Sequence, residues 1–319
     1  MVRGNTKDKK VLVIGSLNYD IILKQKRLPN KGETYVVDGG VTTCGGGKGA
    51  NQAVQCSKMD VKTMMFGAVG KDVFGDYICE QLLQYGVDIS LVKRSEESTG
   101  LGINNVLEDG SLYANIVPGA NYSLKEDDID KIEHEIMQSQ VIIFQLEIPI
   151  RVVEHAIKIA NKNNCYIILN AAPPKILSEK TLRNVDCFIL NESEASFYLH
   201  KPINSLSDVL LQCGELYKKS KELVIITLGE KGCLLCNDKE KIYLPARNVQ
   251  AIDTTGAGDS FVGTFAAKLI EGVNYLEAAI YATIAASLTV TEIGSQIAMP
   301  YKAVVEEIYK KEQPQVIYY

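Results

Sequence analysis

The sequence predicts an α/β protein in which helices cover both faces of a mostly parallel β-sheet, giving three layers. Two observations support this fold class. Apolar and β-branched residues form short continuous runs, as in strands that are buried on both faces. Helix-length segments separate most of these runs, as in repeated βαβ units. The strand-like runs are residues 11–14, 63–69, 141–146, 166–169, 187–190 and 223–228, and the helical segments include residues 74–85, 150–162 and 205–219.

A second, smaller sheet is predicted from residues 19–43 and 99–117, which break this rhythm. Three parts of these stretches are strand-like: residues 35–37, 101–107 and 112–117. Glu108-Asp109-Gly110 between the last two is typical of a hairpin turn. We expect a small antiparallel sheet inserted into a single domain of residues 1–319. Because such a sheet cannot bury both faces alone, it should form a lid over a ligand cleft or meet a second subunit.

The composition is typical of a water-soluble globular protein: of 319 residues, 46% are hydrophobic and 23% are charged. No apolar run is as long as a membrane span, and the polar residues 1–10 do not resemble a signal peptide. The net charge of −5, without a basic stripe, argues against nucleic-acid binding. The C-terminal residues 313–319 are expected to be loosely held.

The eight cysteines lack the paired spacing of a zinc site. Cys233 and Cys236 have the spacing of a redox motif, but they lie in an apolar, strand-like run where residues three apart point to opposite faces. We interpret the cysteines as buried thiols, which predicts a cytoplasmic protein. A histidine-based triad or metal site has no support, because the three histidines lie far from every motif described below.

The segment most informative about function is Asp-Thr-Thr-Gly-Ala-Gly-Asp-Ser-Phe at residues 253–261. It follows the strand-like residues 246–252 and begins a helix with apolar residues at helical spacing. Its small residues leave backbone N–H groups uncovered at a helix N-terminus, where the helix dipole favours an anion. Asp259 lies in the first turn beside these groups. A carboxylate there is suited to remove a proton from a nucleophile while a phosphoryl group is transferred.

Polar residues at the end of the first strand form a second candidate site. Asn18 and Asp20 are two residues apart, so in an extended chain they face the same way, at the strand end where α/β sheets bind ligands. A carboxylate with an amide suits a polyhydroxylated ligand, because one accepts hydrogen bonds and the other donates them. An Asx-turn pair leaving a strand explains these two residues equally well.

The glycine-rich residues 45–52, Gly-Gly-Gly-Lys-Gly-Ala-Asn-Gln, look at first like a phosphate-binding loop. They match neither the Walker spacing nor the dinucleotide-binding spacing. The glycines instead allow a ligand to approach the backbone at the start of a helix over residues 50–59, with Lys48 and Asn51 facing that ligand. A purely conformational role for the glycines is the alternative.

Three further strand ends carry polar residues. Glu147 ends one strand, although an isolated glutamate there is more often solvated or a helix cap. Asn191 and Glu194 follow another strand and match an N-terminal capping box, which accounts for Asn191 without any ligand. Residues 227–232 form a glycine-containing turn, typical of a loop around a nucleotide or of a plain hairpin.

Taken in chain order, these motifs resemble those of the ribokinase-like carbohydrate kinases of the phosphofructokinase-B type. Residues 45–52 resemble the first signature of that family, and residues 253–261 resemble the second. The similarity extends from residue 11 to about residue 300, and within the family the motifs resemble those of the D-ribose kinases. Further similar motifs are Gly-Ser-Leu-Asn-Tyr-Asp at 15–20, Ser-Thr-Gly at 98–100, Pro-Gly-Ala-Asn at 118–121, Gln-Leu-Glu at 145–147 and Asn-Glu-Ser-Glu-Ala at 191–195.

The resemblance implies an ATP-dependent kinase that converts D-ribose to D-ribose 5-phosphate, releasing ADP. Asp259 would take the proton from the 5-hydroxyl, and the backbone N–H groups of residues 255–258, including catalytic positions Gly256, Ala257 and Gly258, would stabilise the transferring phosphoryl group. The residues implied to hold the sugar hydroxyls are Asn18, Asp20, Gly47, Lys48, Asn51 and Glu147.

The resemblance also implies a nucleotide site and two cation sites. Asn191 and Glu194 would organise Mg²⁺ through water, and Thr283 would lie against the adenine. The nucleotide-binding set is Asn191, Thr227, Gly229, Gly232, Gly258 and Thr283. A monovalent cation, usually K⁺, would bind behind the anion hole, at the side chain of Asp253 and the backbone oxygens of Thr255, Thr289, Glu292 and Gly294. Two features differ from the family pattern: a third glycine, Gly45, before Gly-Gly-Lys, and the acidic Glu292, where relatives often have a basic residue.

Two other functions remain open at this point. The first is a kinase of the same family that acts on another sugar or nucleoside, such as deoxyribose, arabinose or fructose. The second is a non-catalytic sugar sensor, which would need neither Asp259 nor the Gly-Ala-Gly run. We expect a homodimer formed through the lid, because its apolar face and free edges would otherwise be exposed. We expect no nucleic acid or membrane partner.

Overall fold

The structure is a computed structural model that describes residues 8–37, 39–108, 112–312 and 314–319. Its strands in chain order are β1 Asp8–Ile14, β2 Asn18–Gln25, β3 Val41–Gly46, β4 Lys62–Gly70, β5 Asp88–Ser95, β6 Gly100–Leu107, β7 Leu112–Val117, β8 Ser139–Phe144, β9 Tyr166–Asn170, β10 Cys187–Asn191, β11 Leu223–Thr227, β12 Cys233–Cys236, β13 Lys241–Leu244 and β14 Ile317–Tyr318. Its helices are α1 Lys48–Lys58, α2 Val73–Gln84, α3 Glu126–Asp130, α4 Glu133–Gln138, α5 Ile150–Lys162, α6 Glu179–Leu182, α7 Glu192–Leu199, α8 Leu206–Tyr217, α9 Ala257–Glu271, α10 Tyr275–Thr289 and α11 Lys302–Lys311.

The main sheet has the strand order β14-β13-β12-β11-β10-β9-β8-β1-β4-β5 across the described residues. In this order, the neighbouring strands from β11 through β10, β9, β8, β1 and β4 to β5 pair in parallel. The three pairs at the other end, β11–β12, β12–β13 and β13–β14, are antiparallel. Successive residues of β1 enter different cores: Val11 and Val13 pack on the side of α1, α9 and α10, and Leu12 and Ile14 pack on the side of α5 and α8. The predicted three-layer, mostly parallel α/β fold is therefore confirmed.

The helices differ in how much of their surface they bury. Helix α5 buries one stripe, which includes Val152, Val153, Ala156 and Ala160, at the spacing of a surface helix. Helix α9 is buried continuously from Asp259 to Ile270, because α1 and α10 pack against it on opposite sides. This central position fixes the N-terminus of α9, which carries the segment singled out above.

The predicted second sheet is also present, with strand order β3-β2-β6-β7. Strands β2 and β3 pair antiparallel, as do β6 and β7, whereas the central pair β2–β6 is parallel. Since β2 begins only four residues after β1 ends, the two sheets meet directly at the start of β2. Residues 109–111 lie outside the described residues, and so does most of the predicted turn after β6.

Three local predictions were wrong. Residues 35–37 belong to no strand, because no neighbouring strand pairs with them and Val36 is 77% exposed. Residues 246–252 are also irregular, because the chain leaves the sheet after β13 at Pro245 and lines a cavity. The chain end is not loosely held: β14 pairs with β13, and Tyr319 N donates to Lys241 O at 2.9 Å.

The cysteine prediction agrees with the structure. All eight thiols are free, and seven of them are buried, including Cys233 and Cys236 on β12. Within the described residues, no helix has the length and apolar character needed to cross a membrane.

Candidate active site

The candidate site lies where the carboxyl ends of the parallel strands meet the second sheet. Strand β1 leads into Asn18 and Asp20, β8 leads into Glu147, and β9 and β10 end at Asn170 and Asn191. In open α/β sheets, ligands bind at this edge because the strands deliver loops from several parts of the chain to one cleft. The structure thus brings together polar residues that are more than a hundred positions apart.

Asp259 lies in the first turn of α9. The preceding N-cap residue, Gly256, has φ of 79°, which a glycine adopts without strain and which turns the chain sharply into the helix. The Asp259 side chain is 7% exposed. Its Oδ2 accepts a hydrogen bond from Asn51 Nδ2 at 2.9 Å, and its Oδ1 accepts one from Gln52 Nε2 at 2.8 Å.

Burial raises the pKa of Asp259, and the Glu147 charge adds to this effect. Lys48 and the two amide donors act in the opposite direction by stabilising the carboxylate. A carboxylate with a raised proton affinity and fixed orientation is well suited to act as a general base.

Acidic side chains surround the Lys48 ammonium. Burial opposes the charge of Lys48, but Asp259, Glu147, Glu194 and Asp20 together raise its pKa above the ordinary value. The same cluster disfavours the charge of Asp20. Burial is the largest cause, the charges of Glu147 and Asp259 add to it, and together they raise the pKa of Asp20 to about 7. A cluster with this excess of negative charge is stabilised by ligand groups that donate hydrogen bonds.

Glu147 connects the end of β8 to the start of α1. Its Oε2 accepts hydrogen bonds from the Ser16 hydroxyl and from Lys48 N, the latter at 3.1 Å. The carboxylate therefore acts partly as a cap, because it lies at the positive N-terminus of α1. Both interpretations of Glu147, as a cap and as a ligand-facing residue, fit the observed position beside Lys48.

Asn18 and Asp20 both lie within β2, so the Asx-turn interpretation was wrong. Asn18 is 3% exposed, and its Oδ1 accepts a hydrogen bond from Asn121 Nδ2 at 2.8 Å. Glycines on both neighbouring strands make room for Asp20. A Cβ on Gly46 would lie 2.0 Å from Asp20 Oδ2, and a Cβ on Gly102 would lie 2.2 Å from Asp20 Oδ1.

Gly47 explains why the glycine-rich segment is needed at the start of α1. Its φ is 84°, and a Cβ there would lie 2.8 Å from Asn18 N and 3.0 Å from Ser16 O. The helix begins at Lys48, two residues earlier than predicted. The conformational role of the glycines is thus real, and the same turn places Lys48 at the edge of a cavity and Asn51 against Asp259.

Two adjoining cavities extend from this cluster. The first has a volume of about 840 Å³ and is lined by Lys48, Asn191, Glu194, Gly256, Gly258 and Asp259, among others. The second, of about 880 Å³, is lined by Gly232, Ala246, Phe261, Thr283, Ala286 and Val290, among others. Both cavities include Thr227, Gly229 and Gly258, so they form one continuous cleft. All residues predicted for the nucleotide line this cleft.

Asn191 and Glu194 form the capping box that the sequence predicted. Asn191 Oδ1 accepts from Glu194 N at 2.9 Å, and the two Glu194 oxygens accept from Asn191 N and Nδ2 at 2.8 and 3.0 Å. Burial raises the pKa of Glu194. Because both carboxylate oxygens are already hydrogen-bonded to the protein, Glu194 is better suited to orient a hydrated ion than to bind a bare one.

The residues predicted for a monovalent cation lie around two loops. Asp253 Oδ1 accepts from Thr255 N, and Asp253 Oδ2 accepts from Gly294 N, both at 2.9 Å. Burial alone would raise the pKa of Asp253, but these hydrogen bonds hold it below the ordinary value of an aspartate. Thr289 is fully buried at the end of α10, whereas Glu292 is exposed. Asp253 therefore ties the loop before α9 to the loop after α10, with backbone carbonyl groups nearby.

Sequence reasoning missed several polar residues that complete the site. Gln52 was within a quoted motif, but only the structure shows it donating to Asp259 Oδ1 and to Asn170 Oδ1. Asn121 and Gln296 also hold predicted site residues, Asn18 and Asn51, by hydrogen bonds. Two signals were available: Gln52 stands beside Asn51, and Asn121 ends the Pro-Gly-Ala-Asn motif at 118–121. Nothing in the local sequence marks Gln296.

Comparisons with known proteins identify the family of this chain. The pfkB family carbohydrate kinase profile matches residues 8–302. A ribokinase of Haemophilus influenzae is 33% identical over 92% of this chain and 95% of its own length, and a deoxyribokinase of Salmonella typhi is 32% identical over 91% and 95%. The structure of Arabidopsis thaliana ribokinase complexed with ribose and ATP is 30% identical and superimposes with a TM-score of 0.87, covering 94% of this chain and 98% of the other. The chain belongs to the pfkB family of carbohydrate kinases and is a sugar kinase of the ribokinase type.

Proposed function

We propose that this sugar kinase uses ATP to phosphorylate the 5-hydroxyl of D-ribose, giving D-ribose 5-phosphate and ADP. One observation carries the proposal. The buried Asp259 carboxylate lies at the N-terminus of α9, beside the Gly256–Gly258 backbone and facing the polar cluster of Lys48, Asp20 and Glu147. A proton acceptor, an anion-binding backbone and a hydroxyl-binding cluster therefore meet in one cleft.

The proposed mechanism needs little covalent chemistry from the protein. Asp259 accepts the proton of the sugar hydroxyl as that oxygen attacks the γ-phosphorus of ATP. The backbone N–H groups of Gly256, Ala257 and Gly258 stabilise the negative charge on the transferring phosphoryl group, helped by the dipole of α9. The bond from the γ-phosphorus to the bridging oxygen of ADP breaks as the new bond to the sugar forms.

The unused hydrogen-bonding capacity of the cluster supports a sugar with several free hydroxyls. Among the described residues, no hydrogen bond uses the Asp20 carboxylate or the Lys48 ammonium. Hydroxyl groups can donate to Asp20 and Glu147 and accept from Lys48, so a ligand of this kind satisfies both charge types. Asn18, Gly47 and Asn51 complete the proposed sugar-binding set. The hydrogen bond from Asn121 Nδ2 to Asn18 Oδ1 fixes the orientation of the Asn18 amide. The Asn18 NH₂ group can then donate to a ligand.

Deoxyribose is the strongest alternative sugar. The similarity to the Salmonella typhi deoxyribokinase matches the similarity to the Haemophilus influenzae ribokinase within one percentage point. The two sugars differ in one hydroxyl group. We favour ribose because the cluster offers two carboxylates and an ammonium to hydroxyl groups. The hydroxyl group that ribose has and deoxyribose lacks can form an additional hydrogen bond with one of them.

The larger, more apolar cavity is the proposed nucleotide site. Phe261, Thr283, Ala286 and Val290 give it an apolar wall for an adenine ring, and the turn at Gly229–Lys231 closes one side. From there the cleft leads past Thr227 and Gly258 to Asp259. The adenine and the transferred phosphoryl group would therefore occupy opposite ends of the same cleft.

We also propose sites for two cations. Asn191 and Glu194 would hold hydrated Mg²⁺, and Asp253 with the carbonyl groups of Thr255, Thr289, Glu292 and Gly294 would hold K⁺. When bound, Mg²⁺ offsets phosphate charge and K⁺ stabilises the anion-binding loop. The Asp253 bonds to both loops support the second site, because a cation between carbonyl groups there would fix the same two loops.

The proposed function is tested by measuring ADP release with ribose, deoxyribose, arabinose, fructose and a nucleoside, each with Mg²⁺-ATP. We expect ribose to give the highest kcat/KM, and we expect higher activity in K⁺ than in Na⁺. A higher kcat/KM for deoxyribose would assign the site to that sugar instead. No sugar-dependent ADP release anywhere in the panel would favour the non-catalytic sensor.

The role of Asp259 is tested with Asp259→Asn. This variant keeps the shape of the side chain but cannot accept the proton, so we expect kcat to fall by about three orders of magnitude or more. Sugar binding measured by calorimetry should remain. Removing the buried charge stabilises the fold, but the new amide leaves either Asn51 Nδ2 or Gln52 Nε2 without its acceptor, so we expect only a small change in the unfolding temperature. Turnover within tenfold of the unmodified enzyme would show that another group is the base.

If Asp20 contacts the sugar, its buried carboxylate lowers the stability of the folded protein and strengthens sugar binding. Because the folded pKa is about 7 and the ordinary value is 3.8, the folded state retains a proton that the unfolded state loses between these pH values. Stability therefore falls as pH rises through this window. Asp20→Asn removes this cost, and we expect it to stabilise the protein by roughly 2 kcal/mol more at pH 8 than at pH 5 while weakening sugar binding.

Asp128→Asn is the matched control for thermal unfolding at these two pH values. Lys93 and Lys131 lower the pKa of Asp128 despite its burial, so its carboxylate is ionised at both pH values. The control should lose stability equally at pH 5 and pH 8. If Asp20→Asn also changed stability equally at the two values, Asp20 would not be the buried acid described here.

The second sheet is the proposed dimer interface. One face of it exposes Val41, Tyr113 and Val117, which are 63%, 49% and 44% exposed, and β3 and β7 are its outer strands among the described residues. Burying these side chains against a second copy removes apolar surface from water. We expect a dimer in sedimentation velocity at micromolar concentration and a monomer for Tyr113→Asp. A monomeric unmodified chain under these conditions would contradict the proposal.

A further inference from the structure

Two short chains of amide groups end on the Asp259 carboxylate. In one, Gln145 Nε2 donates to Gln52 Oε1 at 2.6 Å, and Gln52 Nε2 donates to Asp259 Oδ1 at 2.8 Å. In the other, Gln296 Nε2 donates to Asn51 Oδ1 at 3.0 Å, and Asn51 Nδ2 donates to Asp259 Oδ2 at 2.9 Å. Each carboxylate oxygen is thus held by an amide that is itself held by a second amide.

The carboxylate and the second amide together favour one orientation of the first amide. An ionised carboxylate can only accept hydrogen bonds, so Asn51 must present its NH₂ group, and not its oxygen, to Asp259. This orientation leaves Asn51 Oδ1 facing Gln296, which supplies the donor it requires. If Asn51 rotated by half a turn, its oxygen would face the carboxylate and its NH₂ group would face the Gln296 NH₂ group. Both contacts would be repulsive.

Gln296 is buried and its backbone is anchored, although its Oε1 has no hydrogen-bond partner among the described residues. It is 3% exposed, and its backbone oxygen accepts a hydrogen bond from Lys58 Nζ at 2.8 Å. The same ammonium donates to Met299 O at 2.7 Å and lies over the rings of Tyr85 and Tyr301. The 3% exposed Lys58, at the end of α1, therefore anchors the loop that carries Gln296.

The loop also connects to the anion-binding segment. Gly294, two residues before Gln296, donates its N–H to Asp253 Oδ2, and Asp253 Oδ1 accepts from Thr255 N. Thr255 immediately precedes the Gly256–Gly258 run. A single loop after α10 thus contacts the base through Asn51 and the anion-binding backbone through Asp253.

We propose that Gln296 is a positioning residue for phosphoryl transfer, which orients Asn51 so that Asn51 donates to Asp259. The proposal rests on Asp259 being the general base. Without the Gln296 donor, the buried Asn51 Oδ1 has no partner, so the orientation in which Asn51 donates to Asp259 is less favoured. The ionised form of Asp259 is then less stable, and a larger fraction of the enzyme holds Asp259 protonated at a given pH.

The test compares Gln296→Met with the unmodified enzyme. Methionine fills a similar volume and has no N–H group. We expect the acid limb of the pH profile of kcat/KM for the sugar to move upward by about 0.5 to 1 pH unit. We expect kcat to fall about threefold to tenfold at neutral pH. The KM for ATP should stay within twofold, because Gln296 lies outside the nucleotide cavity.

Gln55→Met is the matched control. Gln55 lies on α1 with Asn51, is fully buried and donates to Pro300 O at 3.2 Å, so it joins α1 to the same loop. Its Oε1 accepts from Ser260 Oγ at 3.4 Å, and among the described residues its side chain has no hydrogen bond to Asn51 or Asp259. A merely structural role of the loop would affect both variants similarly in thermal unfolding and in kcat. Only Gln296→Met should move the acid limb.

Several outcomes decide the proposal. An unchanged acid limb in Gln296→Met, or an equal shift in Gln55→Met, would overturn it. If Gln296→Met does not fold, Gln296→Glu preserves the shape but replaces the donor with an acceptor, and its acid limb should shift in the same direction. The Asp259→Asn variant separates the two proposals: retained turnover there rejects the base, whereas lost turnover with an unmoved acid limb in Gln296→Met rejects only the positioning role.

Discussion

The balance of charge around Lys48 is the constraint on which the rest of the cleft depends. One ammonium faces Asp20, Glu147, Glu194 and Asp259 in a site that largely excludes water. The four carboxylates are accommodated in different ways. Asp259 is held by two amides, Glu147 caps α1, Glu194 closes a capping box, and Asp20 has a pKa raised to about 7.

This charge arrangement explains why so many surrounding residues are glycines or amides. Glycines at 46, 47 and 102 give the carboxylates and the backbone space that a Cβ would occupy. Amides stabilise a carboxylate by donating hydrogen bonds, and they do so without adding a further charge to the cluster. A lysine at position 52 would hold Asp259 more strongly but would compete with Lys48 for the same carboxylates and lower the basicity that a proton acceptor needs.

Much of the fold followed from local patterns. Continuous apolar runs predicted the parallel strands, and residues 253–261 predicted the helix start with Asp259 in its first turn. Predictions failed where a segment's structure depends on a distant strand that pairs with it. Residues 35–37 have a strand-like sequence but pair with no strand among the described residues, whereas β14 is a strand because it pairs with β13. The amides that hold Asp259 could not be predicted for the same reason. Gln296 and Asn51 are 245 positions apart, and a lone buried glutamine has no local signature.

The order of the site residues along the chain has a consequence for how the family diversifies. The proposed sugar contacts come from residues 18–147, apart from Asp259, whereas the proposed nucleotide and cation contacts come from residues 191–294. The two sets are contributed by separate stretches of the gene. On the proposed assignment, substitutions in the first half that keep Asn51 and Gln52, which hold Asp259, would change the sugar contacts and leave the nucleotide and cation contacts in place. A change of sugar would then need no change in the proposed phosphoryl-transfer residues.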